Sequence, residues 1–570
     1  MVSKAFEPWI RIRYRILLQE LGDKEFTRKD VEKIFEKHNK QLANINEFLN
    51  ILSKEGLLES IESNGKHFYK LRETSLDKNS TTKDQIIKIL KMGADLIRVR
   101  VDYKILLVLL FYKALSDKWK EKAEEYLSEI KDKEEAYHLT NIDYYALYDE
   151  SSDTLYTWEE VTKDKINLIP NFITALNKIS ELNEKLSDLK ILVEKLGLAG
   201  FLNNEDNYHI FLDLVDLFNK IDLTKVNYDI VGSGYEWILS YFAPAQAKEG
   251  ENYTPREVIR LMIEILDIKE NSDVLDPAVG SAAMLIEAYK YVSENYNDGK
   301  TLKLEGQEVN DVTAILAKLN LLLHGAENYE IHIGDSLINP KFAEADYVLA
   351  NPPWNQDGYD ESKVSREDLK IIYKYGFVPK QSADWLWVQL MFHYARKKVA
   401  VILDNGALFR GGKEKKIREN MVEKDLIECI ILLPEKLFYN TGAPGIIMIL
   451  NKNKPEERKG KILFINASNE FEKHPEVRKL NILSRKNIDK IVEAYREFKN
   501  IEGFCKVVSL EEIVKKDYSL NVALYVRPIE EGEMIDIAKE FEELKKIEEE
   551  RNEVMAKFND YVNSIIQVLI

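Results

Sequence analysis

Between about residue 228 and residue 454 the chain alternates short apolar runs with helical segments, and few folds accommodate that alternation. The runs fall at 272–275, 302–305, 331–333, 346–349, 399–403, 427–433 and 446–450, seven in all. Between several of them, segments such as 282–291, 312–323 and 385–396 carry apolar residues three and four apart, the helical period. A helix between successive strands is the crossover that parallel strands require. The expected class is therefore α/β: a doubly wound, mostly parallel, seven-stranded sheet.

The rest of the chain reads differently. Residues 84–225 keep the helical period with little glycine and no strand-rich run, which predicts a helical N-terminal domain. Its greasiest stretch, 105–112, lies between Lys104 and Lys113. It is far short of the roughly 20 residues a bilayer requires, so it is read as a buried helix and no membrane association is expected. Before it, residues 1–75 read as a winged-helix-like unit. Thr27 and Asp30 have capping-box spacing ahead of Val31, Ile34 and Phe35; a second helix carries Ile45, Phe48, Leu49 and Leu52 and stops at Gly56. Residues 57–61 and 66–71 then flank Asn64-Gly65, a hairpin signal. Such units bind DNA or dock on proteins. Residues 77–83 form a polar linker. The catalytic domain is expected at 228–460. Residues 461–570 are expected to be a C-terminal helical region whose amphipathic tail carries Ile535, Ile537, Phe541, Leu544, Ile547, Val554, Phe558 and Val562 on a rough helical repeat, a candidate for partner docking.

Charge narrows the function classes. Acidic residues outnumber Lys and Arg by 98 to 81, for a formal charge of −17. A protein gripping nucleic acid alone needs cations against phosphates, so either its basic residues are concentrated locally or a partner supplies much of that contact. Lys363, Arg366, Lys370, Lys374 and Lys380, with residues 413–418, are the local candidates. The two cysteines, Cys429 and Cys505, are far apart and lack metal spacing. They suit a reducing cytoplasm rather than a disulfide framework. Lys4, Glu7, Arg11 and Arg13 interrupt any apolar run at the start, so no signal peptide is expected. No zinc spacing occurs among the eight histidines. Gly299-Lys300-Thr301 is rejected as a phosphate loop because Glu294 stands where its first glycine should be.

The chemistry-bearing residues fall at strand ends, where open parallel sheets bind ligands. Asp276-Pro277-Ala278-Val279-Gly280-Ser281 joins a short strand to a helix through a tight turn. Glu308 follows the second strand, placed to accept two ribose hydroxyls, and Asp335 ends the third, placed to accept an amino group. Asn351-Pro352-Pro353-Trp354 follows the fourth. The Asn351 amide oxygen and the Pro352 carbonyl are two acceptors that can hold one NH2 group, the prolines stiffen the turn, and Trp354 offers a flat stacking surface. Any one of these acids alone reads as a solvated loop carboxylate; three at successive strand ends form a specific set.

With these motifs the chain resembles the amino-methyltransferases, and more closely the modification subunit of type I restriction–modification enzymes. The similarity also runs through Gly250-Glu251-Asn252-Tyr253-Thr254-Pro255, Gly306-Gln307-Glu308, His324-Gly325, Gly406-Ala407-Leu408-Phe409-Arg410-Gly411, Leu433-Pro434-Glu435-Lys436-Leu437-Phe438-Tyr439 and Asp517-Tyr518-Ser519-Leu520-Asn521. The resemblance implies a class I S-adenosylmethionine-dependent methyltransferase fold, S-adenosyl-L-methionine as cofactor, adenine N6 in DNA as target, and no metal. It puts Tyr253, Thr254 and Pro255 beside the cofactor, Asp276, Ala278, Gly280 and Ser281 near its methionine part, Glu308 on the ribose and Asp335 on the adenine. Asn351, Pro352, Pro353 and Trp354 would hold the target base, which must leave the duplex to reach them. It further implies a specificity subunit, a restriction subunit, two modification subunits per specificity subunit, and a cytoplasmic location. Two departures stand out: Ala282-Ala283 replaces the usual Gly-Gly, where an added Cβ can crowd the cofactor, and Asn252 replaces an aromatic. Two rivals are kept. Glutamine-directed protein or RNA amino-methyltransferases share the Asn-Pro-Pro-aromatic loop, and the altered first loop would also suit a non-catalytic scaffold.

Overall fold

The computed structural model describes residues 8–569 apart from 22–23, 39–41, 43, 55–57, 64–65, 72–80, 98–100, 198–204, 247–252, 297–298, 440, 476, 478 and 529–536. The expected Asn64-Gly65 turn, the stop at Gly56, most of the 77–83 linker and Gly250-Glu251-Asn252 lie outside the described residues.

A nine-stranded sheet forms the centre. Its strands are β1 (Asp273–Asp276), β2 (Lys303–Glu308), β3 (Tyr329–Ile333), β4 (Ala345–Ala350), β5 (Ala395–Asp404), β6 (Ile427–Leu432), β7 (Gly445–Asn451), β8 (Lys461–Asn466) and β9 (Cys505–Ser509). They lie in the order β9-β8-β6-β7-β5-β4-β1-β2-β3. From β1 the chain builds outward through β2 to β3, then returns to place β4 on the other side of β1, followed by β5, all parallel. β7 enters antiparallel between β5 and β6, with Ile447 opposite both Ile402 and Ile431. This seven-stranded, doubly wound core is the expected one.

Two strands were not expected. β8 pairs parallel with β6 and β9 antiparallel with β8, so the sheet continues past the boundary drawn at 460. The run Ile462-Leu463-Phe464-Ile465 is wholly buried, as a strand covered on both faces must be. Successive β5 residues divide between the faces. Ala400 and Ile402 join the core under the helices Arg256–Leu266, Ala283–Asn295 and Arg485–Glu497. Val399, Val401 and Leu403 join the core under Asp384–Tyr394 and Lys413–Glu423.

The N-terminal helical unit is as expected apart from a two-residue hairpin at Tyr148–Asp149 and Thr154–Leu155. The run 105–112 is buried throughout inside the helix Lys104–Glu129. No described helix is long and apolar enough to cross a membrane. The helix Tyr228–Gln246, expected to open the catalytic domain, packs into the helical core through Val231, Tyr235, Ile238 and Leu239. Ile315, Leu316 and Leu319 of the catalytic helix Asp311–Leu323 join the same cluster, and the Tyr235 hydroxyl donates to the Leu316 carbonyl at 2.9 Å. The helical unit and the sheet thus share a core.

Residues 8–71 form three helices and a hairpin: Pro8–Leu21, Arg28–Lys37, Ile45–Lys54, and the strands Leu58–Ser63 and Lys66–Leu71. Phe26 bridges to Tyr69, which completes a winged-helix arrangement. The Thr27–Asp30 capping box is present. The first helix rests on the catalytic helix Ala283–Asn295, where the buried Arg13 guanidinium donates to the Glu294 carbonyl at 2.7 Å. At the other end, Ile537–Leu569 is one long helix on which Phe541, Leu544, Ile547, Val554 and Phe558 are all exposed.

Candidate active site

The turn after β1 is built by its own hydrogen bonds. The Asp276 carboxylate accepts the Ala278 N–H at 3.0 Å, and the Gly280 N–H donates to Glu308 Oε2 at 3.1 Å. Glu308 Oε1 in turn accepts the Asn310 N–H at 3.0 Å. Gly280 sits at φ +49, left-handed backbone that glycine adopts freely. Gly306 admits a close approach: a Cβ there would lie 2.8 Å from Val279 Cγ2. Ala282 is also left-handed, at φ +64, immediately before the helix Ala283–Asn295. Its methyl is buried in the core. The departure from glycine therefore acts here as backbone strain, whereas Ala283 borders the cavity.

That cavity, about 280 Å³, gathers Tyr253, Thr254, Asp276, Ala278, Gly280, Ser281, Glu308, Asn351 and Pro353 of the expected residues. Asp276 is 2% exposed. Burial pushes its carboxyl up to about 8, with the nearby Glu308 charge adding to the effect and the Ala278 N–H opposing it. A desolvated carboxyl facing a cavity favours a cationic ligand.

Asn351 ends β4 with its amide keyed at both ends. Its Nδ2 donates to Thr254 Oγ1 at 2.9 Å, and its Oδ1 accepts the Trp354 indole N–H at 2.9 Å. The oxygen keeps a second lone pair for another donor. Trp354 is half-buried, edge-on to Phe438 with ring centroids 4.9 Å apart, and does not itself line the cavity. A Cβ at Gly445 would lie 2.9 Å from this indole, so glycine there makes room for it.

The turn that follows is clamped by Arg410. Asn355, at φ +53, donates its N–H to Asp384 at 2.9 Å, and Arg410 donates to Asn355 Oδ1 at 2.8 Å. The same guanidinium pairs with Asp384, which is fully buried, with Asp404 at 2.9 Å and with Glu414 at 2.7 Å. The Gly406–Gly411 segment matched in sequence thus acts on the Asn-Pro-Pro-Trp turn through Arg410.

Four expected residues stand apart from the cavity. Pro255 precedes the helix Arg256–Leu266, Pro352 is buried, Trp354 donates its indole N–H to Asn351, and Asp335 accepts the Tyr359 hydroxyl at 2.6 Å. Sequence reasoning missed Val309, Asn310, Thr313, Tyr103, Lys104 and Leu239 among the lining residues. Val309, 67% exposed directly after Glu308, carried a signal: an apolar residue in a polar loop. Tyr103, Lys104 and Leu239 carried none, because they arrive from the helical unit.

Several of the candidate phosphate-facing cations pair with neighbouring carboxylates. Arg366 pairs with Asp368 at 2.8 Å, Lys370 with Glu367, and Lys413 with Glu361 at 3.4 Å. Arg418 is buried and donates to the carbonyls of Ala407, Arg410 and Tyr518, which removes it from that role. Glu305, Glu330 and His332 form a group with metal-ligand proximity, but none of them lines the cavity.

The strand order, the glycine turn after β1 and Asn-Pro-Pro-Trp after β4 define an amino-directed methyltransferase. Residues 226–534 match the model of the N-6 DNA Methylase family, and residues 88–218 match the HsdM N-terminal domain. The chain is 54% identical over 568 residues to the type I restriction enzyme MjaVII methylase subunit of Methanocaldococcus jannaschii, covering 98% of each. It is 50% identical to the MjaVIII methylase subunit of the same organism, covering 100% of each. A type I restriction–modification methyltransferase subunit from Streptococcus thermophilus superposes with a TM-score of 0.68 at 25% identity, covering 78% of this chain and 100% of that one. The chain belongs to the N-6 DNA methylase family, among the methylase subunits of type I restriction enzymes, and its reaction is methylation of adenine in DNA. Of the readings kept from sequence, this is the DNA-directed one.

Three outcomes follow from the local geometry. Ala282→Val should lower the unfolding free energy in urea by about 2 kcal/mol or more, because β-branched residues resist left-handed backbone. Ala282→Gly should stay within about 1 kcal/mol, since relief of strain offsets the lost methyl burial. Arg410→Met leaves the Asp384 carboxyl buried without its cation and should cost about 3 kcal/mol, read as a lowered thermal midpoint.

Proposed function

We propose that the cavity between β1, β2 and β4 binds S-adenosyl-L-methionine and that Asn351 presents a flipped-out adenine to it. The fit rests on the residues present: a desolvated Asp276 carboxyl suits the donor's cationic amino-acid end, and Glu308 beside Val309 suits a ribose joined to an aromatic ring. Tyr253, Thr254, Ala278, Gly280 and Ser281 complete the walls, with Asp335 and Pro255 as outer supports. When bound, the cofactor supplies an electrophilic methyl group on a sulfonium. The protein's part is positioning and polarisation. Asn351 Oδ1 and the Pro352 carbonyl accept the two N–H bonds of the adenine amine, which turns its lone pair out of conjugation. Thr254 fixes the Asn351 amide by accepting from its nitrogen, so the oxygen faces the target. Trp354 turns its face to the base. The amine, cationic once methylated, loses its proton to water, and no strong general base is needed.

The keyed amide of Asn351 on the wall that also carries Asp276 bears the weight of this assignment. Asn351→Ala should lower the transfer rate by about a hundredfold or more while binding of S-adenosylhomocysteine stays measurable by calorimetry. Methylation at the parental rate would remove Asn351 from the mechanism. Tritium transfer assayed into DNA, RNA and protein separates this reading from its rivals.

The acidic balance of the chain and the internally paired basic residues support reliance on partners: a specificity subunit to read the site, a restriction subunit to cut, and two copies of this chain per specificity subunit. The exposed apolar residues of Ile537–Leu569 suit such docking. A DNA substrate of this kind assigns the complex to the cytoplasm.

A pH dependence follows from Asp276. With its carboxyl held up to about 8, the free protein is mostly protonated there at neutral pH. A cationic ligand favours the ionised form, so binding should release a proton, and affinity should rise about tenfold per pH unit below 8 and level off above it. Calorimetry in buffers of different ionisation enthalpy measures that proton. Asp276→Asn should abolish both the release and the slope.

A further inference from the structure

We propose that Lys104, a residue of the N-terminal helical unit, supplies the cation that holds the carboxylate of the methyl donor's amino-acid end. The proposal rests on the cofactor reading above and extends the site across two units of the protein.

The charge inventory of the cavity leads to it. Among the described residues lining the cavity, Asp276 and Glu308 are acids and Lys104 is the single cation. The donor's amino-acid end carries an ammonium and a carboxylate. Asp276 answers the first; a carboxylate brought next to two acids requires a positive partner. The nearby cations of the catalytic unit pair outside the cavity; Arg256 keeps its buried Nε without a partner but does not line the cavity. Arg256 donates to the Ala283 carbonyl at 3.1 Å and pairs with Glu236 at 3.4 Å, while Lys290 pairs with Glu236 at 2.8 Å.

The Lys104 side chain is 18% exposed, and its ammonium lies 3.6 Å from the Asp102 carboxylate, a loose pairing that leaves donors to spare. Lys104 also opens the helix Lys104–Glu129, where the helix dipole disfavours a cation. A cation set against the local preference on a residue that lines a cavity fits a role in binding. Its position is held firmly. Tyr103 stacks on Phe242 at 4.9 Å, the helix carrying Phe242 donates from Tyr235 to the Leu316 carbonyl, and Glu236 of that helix pairs with Lys290 of the helix following the glycine turn.

The test compares S-adenosylmethionine with decarboxylated S-adenosylmethionine, which lacks only the carboxylate, by calorimetry on the full chain. Lys104→Met should weaken binding of the first about tenfold or more and leave the second within about twofold. Lys104→Arg should recover part of the loss. Unchanged affinity of Lys104→Met for S-adenosylmethionine, or equal losses for both ligands, overturns the proposal. If the parent chain binds neither ligand, the cofactor reading itself fails, an outcome distinct from failure of Lys104 alone.

Discussion

β1 and β4 lie side by side and parallel, yet the chain leaves them in opposite directions, and the site exists because of that divergence. The connection after β1 crosses toward β2, while the one after β4 continues toward β5. Neither covers the gap between the two strand ends. Asp276 closes one strand and Asn351 follows the other, so a buried carboxyl and an oriented amide face one cavity without a long loop to hold them. The register of β1 against β4, Leu275 opposite Val348, sets their spacing. A one-residue slip of either strand would turn its side chain to the other face of the sheet.

Precision at that edge comes from buried charge placed behind it. Asp384, with no exposure of its own, receives the Asn355 N–H and the Arg410 guanidinium, and Arg410 also meets Asp404 and Glu414. Buried ion groups of this kind contribute little net stability, because desolvation offsets their attraction. What they provide is a single geometry: Asn355 stays left-handed and the turn carrying Trp354 cannot relax. The acidic composition of the chain is partly explained here, since carboxylates are spent on orienting arginines as well as on the surface.

Much of the architecture was legible because its causes are local. Short continuous apolar runs bounded by turns, such as Ile446–Leu450, suit strands covered on both faces, and Thr27 with Asp30 caps its helix as spacing predicts. Nine of the thirteen expected site residues line the cavity, since strand ends of a doubly wound sheet converge whatever their sequence separation. The rest depended on distance. β8 resembles any short buried run until β6 is free to pair with it, and the helix Tyr228–Gln246, assigned to the catalytic domain, also packs into the helical core. Asp335 looked available for a ligand, and only the folded chain brings the Tyr359 hydroxyl onto it. Lys104 and Tyr103 lie about 170 residues before Asp276 and share no motif with it.

That last separation bears on why the helical unit accompanies the sheet at all. A cavity formed by strand ends alone opens to water on its outer side, where a charged ligand keeps its hydration and a carboxyl such as Asp276 would titrate normally. Here Leu239 and Tyr103 border the opening, and the shared core around Tyr235, Leu316 and Leu319 fixes them against the catalytic helix Asp311–Leu323. Burial is what raises Asp276, and both units line the cavity in which its charge–charge contacts are made. Separating them would expose an apolar interface and remove one wall of the cavity, so stability and ligand recognition are coupled through one set of side chains.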